Sequence, residues 1–255
     1  MRGQRKTAAV AESVPLADRD LVAVRQVGAE IDLCGDHAIV RVARLPISHV
    51  RRRPVRYKRL FDVVVASLAL VALLPLMTLV AFLVLTTSRG PVLYRSERWG
   101  HRGSTFGAIK FRSMCADADA ALAAAMASDP ETAAEYQESF KLQRDPRVTR
   151  VGRVLRRYSL DEMPQLVNVL RGEMSIVGPR PKLIEEAARY GPDLEAVLSV
   201  RPGLTGLWQV SGRNEVDYAE RIQLDLTYVE KASLRLDLAI CGRTIEQVLA
   251  GTGSY

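Results

Sequence analysis

An uncharged apolar run restricts what this chain can fold into more than any other feature. Residues Val63 to Ser88 form 26 consecutive positions without a charged side chain. A helix needs about 20 such residues to cross the hydrocarbon core of a bilayer. The run starts too far from the N-terminus for a cleaved secretory signal, and no small-residue cleavage site follows it. The sequence therefore predicts a segment that enters a membrane.

Two properties of this run argue against a simple crossing. Pro75 lies at its middle, where a proline removes a backbone donor and kinks or breaks a helix. Both flanks are basic, and basic flanks remain on the cytoplasmic side of a membrane. The sequence thus predicts a re-entrant helical hairpin that bends at Pro75 and leaves on the face by which it entered. A kinked single span is the alternative, because transmembrane helices tolerate proline.

The excess of positive charge lies before or at the start of the apolar run. Of the 36 Lys/Arg and 29 Asp/Glu in the chain, residues 1–60 hold 13 and 6, which leaves 23 of each for residues 61–255. A nucleic-acid-binding protein normally carries such an excess on its folded domain, so nucleic acid is not an expected partner. A basic cluster beside a membrane segment is instead typical of contact with anionic lipid, at about 1 kcal/mol per basic residue.

The cysteine pattern gives no sign of a zinc site or a disulfide framework. Cys34, Cys115 and Cys241 are widely separated and are accompanied by only three histidines. None has the CxxC or Cys/His spacing that such sites need. This cysteine usage is typical of a reducing compartment.

The sequence divides into three regions. Residues 1–57 predict a poorly ordered basic extension, residues 58–89 the membrane segment and residues 90–255 a cytoplasmic domain. Within that domain, short strands are predicted at 91–94 and 105–111. Helices are predicted at 117–142 with a break near Pro130, and at 153–157, 165–171, 182–190, 194–199, 218–231 and 236–250. The expected fold class is mainly α with a small β element, a re-entrant membrane hairpin packed on a cytoplasmic α/β domain.

Two adjacent carboxylates, Asp161 and Glu162, have two interpretations. Ser159 followed by Glu162 matches a helix capping box, in which Glu162 accepts a hydrogen bond from a backbone amide. Pro164 would then fall inside the helix, where a free amide is needed. If the helix starts at Pro164, a favoured first position, both carboxylates precede its N-terminus and the helix dipole keeps them ionised. Carboxylates so placed can hold Mg²⁺ or attack phosphorus.

Several basic residues accompany this acidic pair. They are Lys110, Arg112, Arg153, Arg156 and Arg180. Arg180 lies between Pro179 and Pro181, so its backbone is rigid and its side chain is aimed at low entropic cost. Each cation alone is compatible with a surface charge or an ion pair. Together they indicate a diphosphate site, because guanidinium groups match phosphate oxygens, whereas no GxGxxG or GxxxxGK[ST] motif supports a Rossmann or P-loop site.

These motifs resemble those of the bacterial sugar transferase family over about residues 58–255. The residues that carry the resemblance are Lys58-Arg59-x-x-Asp62, the run broken at Pro75, Lys110-Phe111-Arg112-Ser113-Met114, Leu155-Arg156-x-x-Ser159-Leu160-Asp161-Glu162-x-Pro164-Gln165, Gly178-Pro179-Arg180-Pro181, Arg201-Pro202-Gly203-Leu204-Thr205-Gly206 and Gly212-Arg213-Asn214. At one position the chain departs from the family. Leu74 stands where the family usually has serine before the membrane proline.

The resemblance implies a reaction. Such enzymes are monotopic phosphoglycosyl transferases, which move a sugar-1-phosphate from a nucleotide sugar to polyprenyl phosphate and release the nucleoside monophosphate. By this similarity Asp161 is the nucleophile that forms a covalent phosphosugar, Glu162 is its partner in a catalytic dyad, and Mg²⁺ binds at Asp161. The implied substrate-binding residues are Arg156, Arg180, Arg213, Lys110 and Arg112, with Pro179 and Pro181 beside Arg180; Pro75 is the implied membrane bend.

The resemblance also implies substrates and a location. Residues 208–214 and 251–255 are similar to the hexose-1-phosphate branch of the family, which favours UDP-galactose or UDP-glucose as donor and undecaprenyl phosphate as acceptor. The expected place is the bacterial inner membrane, among its lipids, with the catalytic domain facing the cytoplasm and a homo-oligomer allowed. Two other functions stay open, a non-catalytic scaffold for polysaccharide assembly and a glycosyltransferase that releases UDP.

Overall fold

The computed structural model describes residues 29–34, 37–42, 57–139, 142, 144–211 and 217–250 of the 255-residue chain. In the N-terminal region, strands β1 (Ala29–Cys34) and β2 (His37–Val42) form an antiparallel hairpin. Most of residues 1–57 otherwise lies outside the described residues, so the extension predicted there stays a prediction.

The apolar run forms helix α1 (Lys58–Thr87), which is 30 residues long. At 1.5 Å per residue it measures about 45 Å. Among the described residues it is the one helix long and apolar enough to cross a membrane, by length and composition. The hairpin predicted at Pro75 is not confirmed, because α1 continues through Pro75 as a single helix. Proline removes one amide donor there, while the Thr78 hydroxyl donates to the carbonyl of Leu74 at 2.9 Å.

Packing on both sides of the proline keeps the two halves of α1 in line. Asp62 and Ala66 are buried near its start, and Val80 and Val84 are buried near its end. The opposite face exposes large apolar side chains, among them Leu68, Val71, Leu74, Phe82 and Leu85. One face of α1 therefore belongs to the core along most of its length, and the other is an apolar surface.

The elements that follow α1 are short. They are β3 (Leu93–Trp99), β4 (Thr105–Phe111), α2 (Ala118–Ser128), α3 (Pro130–Ser139), α4 (Arg150–Arg157), α5 (Gln165–Arg171), β5 (Ser175–Val177), α6 (Ala187–Tyr190), α7 (Asp193–Leu198), β6 (Gly203–Thr205), α8 (Tyr218–Lys231) and α9 (Leu234–Ala250). Strands β3 and β4 pair antiparallel, and β5 and β6 pair parallel. The predicted class, mainly helical with small sheets, is confirmed.

Several elements differ from the predicted bounds. Helix α6 begins at Ala187 rather than at residue 182, whereas α7 and α9 differ from prediction by only one or two residues at their ends. Strand β3 runs to Trp99 rather than to residue 94, because it pairs with β4 over its whole length, from Leu93 opposite Phe111 to Trp99 opposite Thr105. Helix α4 begins three residues earlier than predicted, because the Thr149 side chain caps it by accepting a hydrogen bond from the third amide of the helix at 2.9 Å.

A buried polar network joins the start of α1 to the strand before the site. Lys58 Nζ lies 3.3 Å from Asp62 Oδ1 and 2.9 Å from Asp237 Oδ2 of α9. Asp62 also accepts hydrogen bonds from Ser175 Oγ at 2.9 Å and from a backbone amide of β5 at 3.0 Å. Buried charges persist only when paired in this way. The network fixes β5, and residues 178–181 that follow it, against α1.

Candidate active site

The two adjacent carboxylates, hereafter the dyad, lie in a tight turn between α4 and α5. Ser159 has left-handed backbone angles (φ 55°, ψ 23°) and makes no side-chain cap. A 3-10 turn spans Leu160–Glu162, and α5 begins at Gln165 after Pro164. The capping-box interpretation is wrong, because the Glu162 carboxylate binds two cations rather than a backbone amide. The alternative, in which both acids precede a helix that starts near Pro164, is confirmed.

Glu162 is held between two cations from distant parts of the chain. Lys110 Nζ of β4 lies 2.7 Å from Glu162 Oε1. Arg180 donates to the same oxygen from Nη2 at 2.9 Å and to Oε2 from Nη1 at 3.4 Å. All three side chains are largely buried, with exposed fractions of 18%, 15% and 30% for Lys110, Glu162 and Arg180. These contacts bring β4, the 3-10 turn and the segment after β5 into one site.

Glu162 remains ionised because of its neighbours. Burial acts to raise its pKa, but the charges of Arg180 and Lys110 outweigh burial and hold the pKa far below the ordinary value. Glu162 in turn raises the pKa of Arg180. Burial lowers the pKa of Lys110, against the attraction of Glu162. Glu162 is therefore a fixed anion that positions two cations.

Asp161 has a different environment from Glu162. Asp161 as a residue is 7% exposed, and within the described part of the chain its side chain makes no hydrogen bond. Burial raises its pKa; Lys110 opposes that effect, and Glu162 adds to it. The helix dipole was predicted to keep Asp161 ionised, but burial raises the pKa of this carboxyl instead. A buried carboxylate usually has a hydrogen-bond partner. Asp161 departs from this rule within the described part of the chain, so its oxygens are available to a substrate.

The hairpin of β3 and β4 forms the floor of the site. Its register places Tyr94 opposite Lys110 and Arg98 opposite Phe106, so alternate residues of both strands share one face. Arg98 lies on this face and lines the same cleft as Lys110 and Arg180. Arg98 was not predicted as a site residue. The available signal was its alternation with Tyr94, but the predicted strand stopped at residue 94.

The free edge of β4 is held by Asn168 of α5, which is fully buried. Its side chain bonds to backbone groups of Gly107 and Ile109 and donates to Glu173 Oε2 at 2.6 Å. Sequence reasoning also missed Asn168, because only the structure brings α5 beside β4. Asn168 connects the strand that carries Lys110 to the helix that follows the dyad.

Residues on both sides of Arg180 fix its backbone, as the flanking prolines predicted. A backbone amide of β6 donates to the carbonyl of Pro179 at 2.8 Å, and Pro181 lines the cleft. Lys182 forms a buried ion pair of 2.8 Å with Asp225 of α8. The backbone on either side of Arg180 is therefore held by two elements, β6 through Pro179 and α8 through Lys182.

The other predicted substrate-binding cations lie in different places. Arg156 Nε donates to Ser113 Oγ at 3.0 Å, and its guanidinium interacts electrostatically with the dyad. Arg112 instead closes the end of α1, where its Nη2 donates to the carbonyl of Ser88 at 2.7 Å. Arg213 lies outside the described residues. The substrate-binding roles of these residues stay predictions.

The sequence matches the family model described as bacterial sugar transferase over residues 53–251. The chain belongs to the bacterial sugar transferase family. The resemblance predicted from the motifs is confirmed, and with it the prediction of a transferase enzyme.

Individual relatives of this sugar transferase differ in length. It is 51% identical over 198 residues to the exopolysaccharide production protein ExoY of Sinorhizobium fredii, covering 78% of this chain and 88% of that protein. It is 44% identical over 209 residues to the undecaprenyl-phosphate galactose phosphotransferase of Salmonella typhimurium, covering 82% and 44%. It is 38% identical over 207 residues to the UDP-glucose:undecaprenyl-phosphate glucose-1-phosphate transferase of Klebsiella pneumoniae, covering 78% and 41%. The chain thus spans less than half the length of these two named transferases.

Proposed function

We propose that this protein transfers hexose-1-phosphate from a UDP-sugar to undecaprenyl phosphate and releases UMP. The names of its relatives support this substrate class, since two of them are undecaprenyl-phosphate hexose phosphotransferases. Those names divide between galactose and glucose, so either hexose is the proposed cargo. The relative named for exopolysaccharide production supports a place at the first membrane step of exopolysaccharide, capsule or O-antigen synthesis.

The observation that carries this proposal is the state of Asp161. Its carboxylate is buried among the charges of Lys110, Arg156 and Arg180, yet it makes no hydrogen bond in the described part of the chain. A nucleophile needs a free oxygen in surroundings that stabilise the phosphate it attacks. Glu162 lacks the free oxygen, because both of its oxygens bind cations. Asp161 is therefore the proposed nucleophile and Glu162 its positioning partner.

The reaction proceeds in two displacements at the same phosphorus. An oxygen of Asp161 attacks the phosphorus that carries the hexose, the bond from that phosphorus to the bridging oxygen breaks, and UMP leaves. A phosphate oxygen of undecaprenyl phosphate then attacks the acyl phosphate, which frees the carboxylate and forms the lipid diphosphate sugar. Lys110 and Arg180 are already held in place by Glu162, so they stabilise the transferring group without reorganising.

The donor set around Asp161 fits Mg²⁺. Among the described residues, no three His, Cys, Asp or Glu side chains form a group that could hold a metal ion. Mg²⁺ does not require such a cage, because it commonly binds one or two carboxylates together with substrate phosphates and keeps several waters. The unbonded oxygens of Asp161 supply one such carboxylate. When bound there, Mg²⁺ offsets charge on the diphosphate.

The packing of α1 supports an arrangement in which the dyad works at the membrane surface. Val80 and Val84 of α1 share a buried cluster with Met163, the residue that follows the dyad. Because α1 packs on the domain on both sides of Pro75, a perpendicular crossing would draw polar parts of the domain into hydrocarbon. We propose that the exposed apolar face of α1 is embedded in the cytoplasmic leaflet of the inner membrane, with the domain facing the cytoplasm.

The test uses the full chain in nanodiscs with undecaprenyl phosphate and UDP-hexose labelled in the phosphate next to the sugar. We expect lipid-linked product and UMP in equal amounts, and a labelled protein when the lipid is omitted. Asp161→Asn should abolish the turnover products and the protein labelling. Asp119→Asn, a change at an exposed aspartate of α2, should abolish neither. Release of UDP would identify a glycosyltransferase, and a wild-type chain without turnover would favour the scaffold.

A further inference from the structure

Arg98 is a largely buried cation that the proposed mechanism does not use. It lies on the face of the β3–β4 hairpin that carries Lys110 and lines the cleft with Lys110 and Arg180. Its hydrogen-bond partners in the described part of the chain are neutral. Nε donates to Ser96 Oγ at 3.0 Å, and Nη1 donates to the carbonyl of Pro181 at 3.5 Å. Its second amino group, Nη2, has no protein partner there.

The charge of Arg98 is not balanced by an ion pair with any described residue. Glu162, the carboxylate that lines the cleft, is already shared by Lys110 and Arg180. Burial, and then the like charge of Arg180, lower the pKa of Arg98, while the charges of Glu186, Glu162 and Glu185 act in the opposite direction. Burying like charges together is unfavourable unless an anion joins them. The cleft is therefore lined by three cations and by one carboxylate that two of them already share, and it suits an anionic ligand.

We propose that Arg98 is a substrate-binding residue that takes an oxygen of the UDP-sugar diphosphate. This inference rests on the proposed function, because the diphosphate of the donor supplies the anionic partner that Arg98 lacks. The bond to Ser96 fixes the guanidinium plane, and the unbonded Nη2 supplies a donor for a phosphate oxygen. Planar guanidinium donors match phosphate geometry better than an ammonium does.

The substitution that tests this proposal is Arg98→Gln in the full chain, reconstituted in nanodiscs. The KM for UDP-hexose and the Kd for UDP should both rise about tenfold or more, as for loss of one charge-assisted hydrogen bond. The KM for undecaprenyl phosphate should not change. Arg98→Lys should restore only part of the affinity. The matched control is Arg95→Gln, which removes an exposed arginine from the other face of the same strand.

Two further measurements keep the outcomes distinct. Calorimetric titration with UDP measures binding without turnover. A wild-type chain that binds UDP but releases no UMP from UDP-hexose would contradict the proposed function, and the effect of Arg98→Gln on UDP affinity could still be measured. The melting temperature without ligand should stay the same or rise in Arg98→Gln, because a repulsion with Arg180 is removed. UDP affinity equal to that of Arg95→Gln, a change confined to the lipid KM, or a lower melting temperature with unchanged UDP affinity would each overturn the proposal.

Discussion

The side-chain oxygen of Asn168 accepts a hydrogen bond from the backbone amide of Ile109 at 3.0 Å, and its side-chain nitrogen donates to the carbonyl of Gly107 at 2.9 Å. A single side-chain amide thus occupies the edge of β4 in the way a neighbouring strand would. Ile109 directly precedes Lys110, and Asn168 follows Glu162 by less than two helical turns of chain. The Asn168 side chain therefore holds β4, which carries Lys110, at a fixed distance from the helix that follows Glu162.

Asn168→Leu should both destabilise the protein and slow it. The substitution leaves one backbone donor and one acceptor buried without partners, at about 1–3 kcal/mol each. The melting temperature of the full chain in detergent should fall by several degrees. Turnover should fall as well, because Lys110 loses the support that holds it against Glu162.

A double-mutant cycle separates this positioning role from general destabilisation. If Asn168 acts through Lys110, then Asn168→Leu should cost much less activity in a Lys110→Met background than in the wild type. Val169→Ala, a substitution at the next fully buried residue of α5, serves as the control for lost stability. Additive effects of Asn168→Leu and Lys110→Met on kcat would contradict the positioning role.

The pH dependence of kcat/KM should show an acidic limb above the pKa of an ordinary aspartate. Burial raises the pKa of Asp161, and Lys110 opposes that shift. The nucleophile must be ionised, so activity is lost as the pH falls through this raised pKa. Lys110→Met removes an opposing charge and should move the limb to higher pH, whereas Lys231→Met at the exposed end of α8 should leave it in place. A limb that stays fixed in Lys110→Met would show that Asp161 does not titrate there.

Asp62→Ala should loosen the start of α1. The change removes the acceptor of two buried hydrogen bonds and one partner of Lys58, although Asp237 remains. Breaking a buried pair in this way costs about 3 kcal/mol or more of the free energy of unfolding. Thermal unfolding of the full chain in detergent measures the loss, with the exposed Glu97→Ala as the control. Equal melting temperatures for the two variants would mean that the network contributes nothing to stability.

The topology of α1 is testable by cysteine labelling after the native cysteines are replaced. Cysteines placed just before Lys58 and at Arg89 should both react with an impermeant maleimide from the cytoplasmic side. A cysteine in place of Phe82, on the exposed apolar face, should be protected by lipid from either side. Labelling of the two flanking cysteines from opposite sides would contradict insertion from one face and indicate a single span.

Local signals determined which elements could be predicted from the sequence. Helix α5 has the predicted bounds, residues 165–171, and Gly172, which follows it, adopts a positive φ of 83°. Helix α8 also has its predicted bounds, and the Asp217 side chain caps its start by accepting from the amide of Glu220. Turn and cap chemistry depends on a few neighbouring residues, so it is visible without the fold.

The parts of the site that were missed depend on contacts between distant elements. Arg98 belongs to the site only because β3 pairs with β4 along its whole length. Arg112 directly follows β4, and its guanidinium binds Ser88 at the end of α1 instead of lining the cleft with Lys110. Neither the length of the pairing nor the path of α1 can be deduced from spacing along the chain, because tertiary packing decides both.

The way in which α1 lies on the domain makes the anchor inseparable from the enzyme. A fragment that began after this helix would uncover the side chains of Leu155, Met163 and Leu166 and leave β5 without its buried aspartate partner. We expect such a shortened protein to aggregate rather than to act in free solution. Proteolytic release from the bilayer would thus inactivate this transferase at once, because the same segment attaches the enzyme and completes its interior.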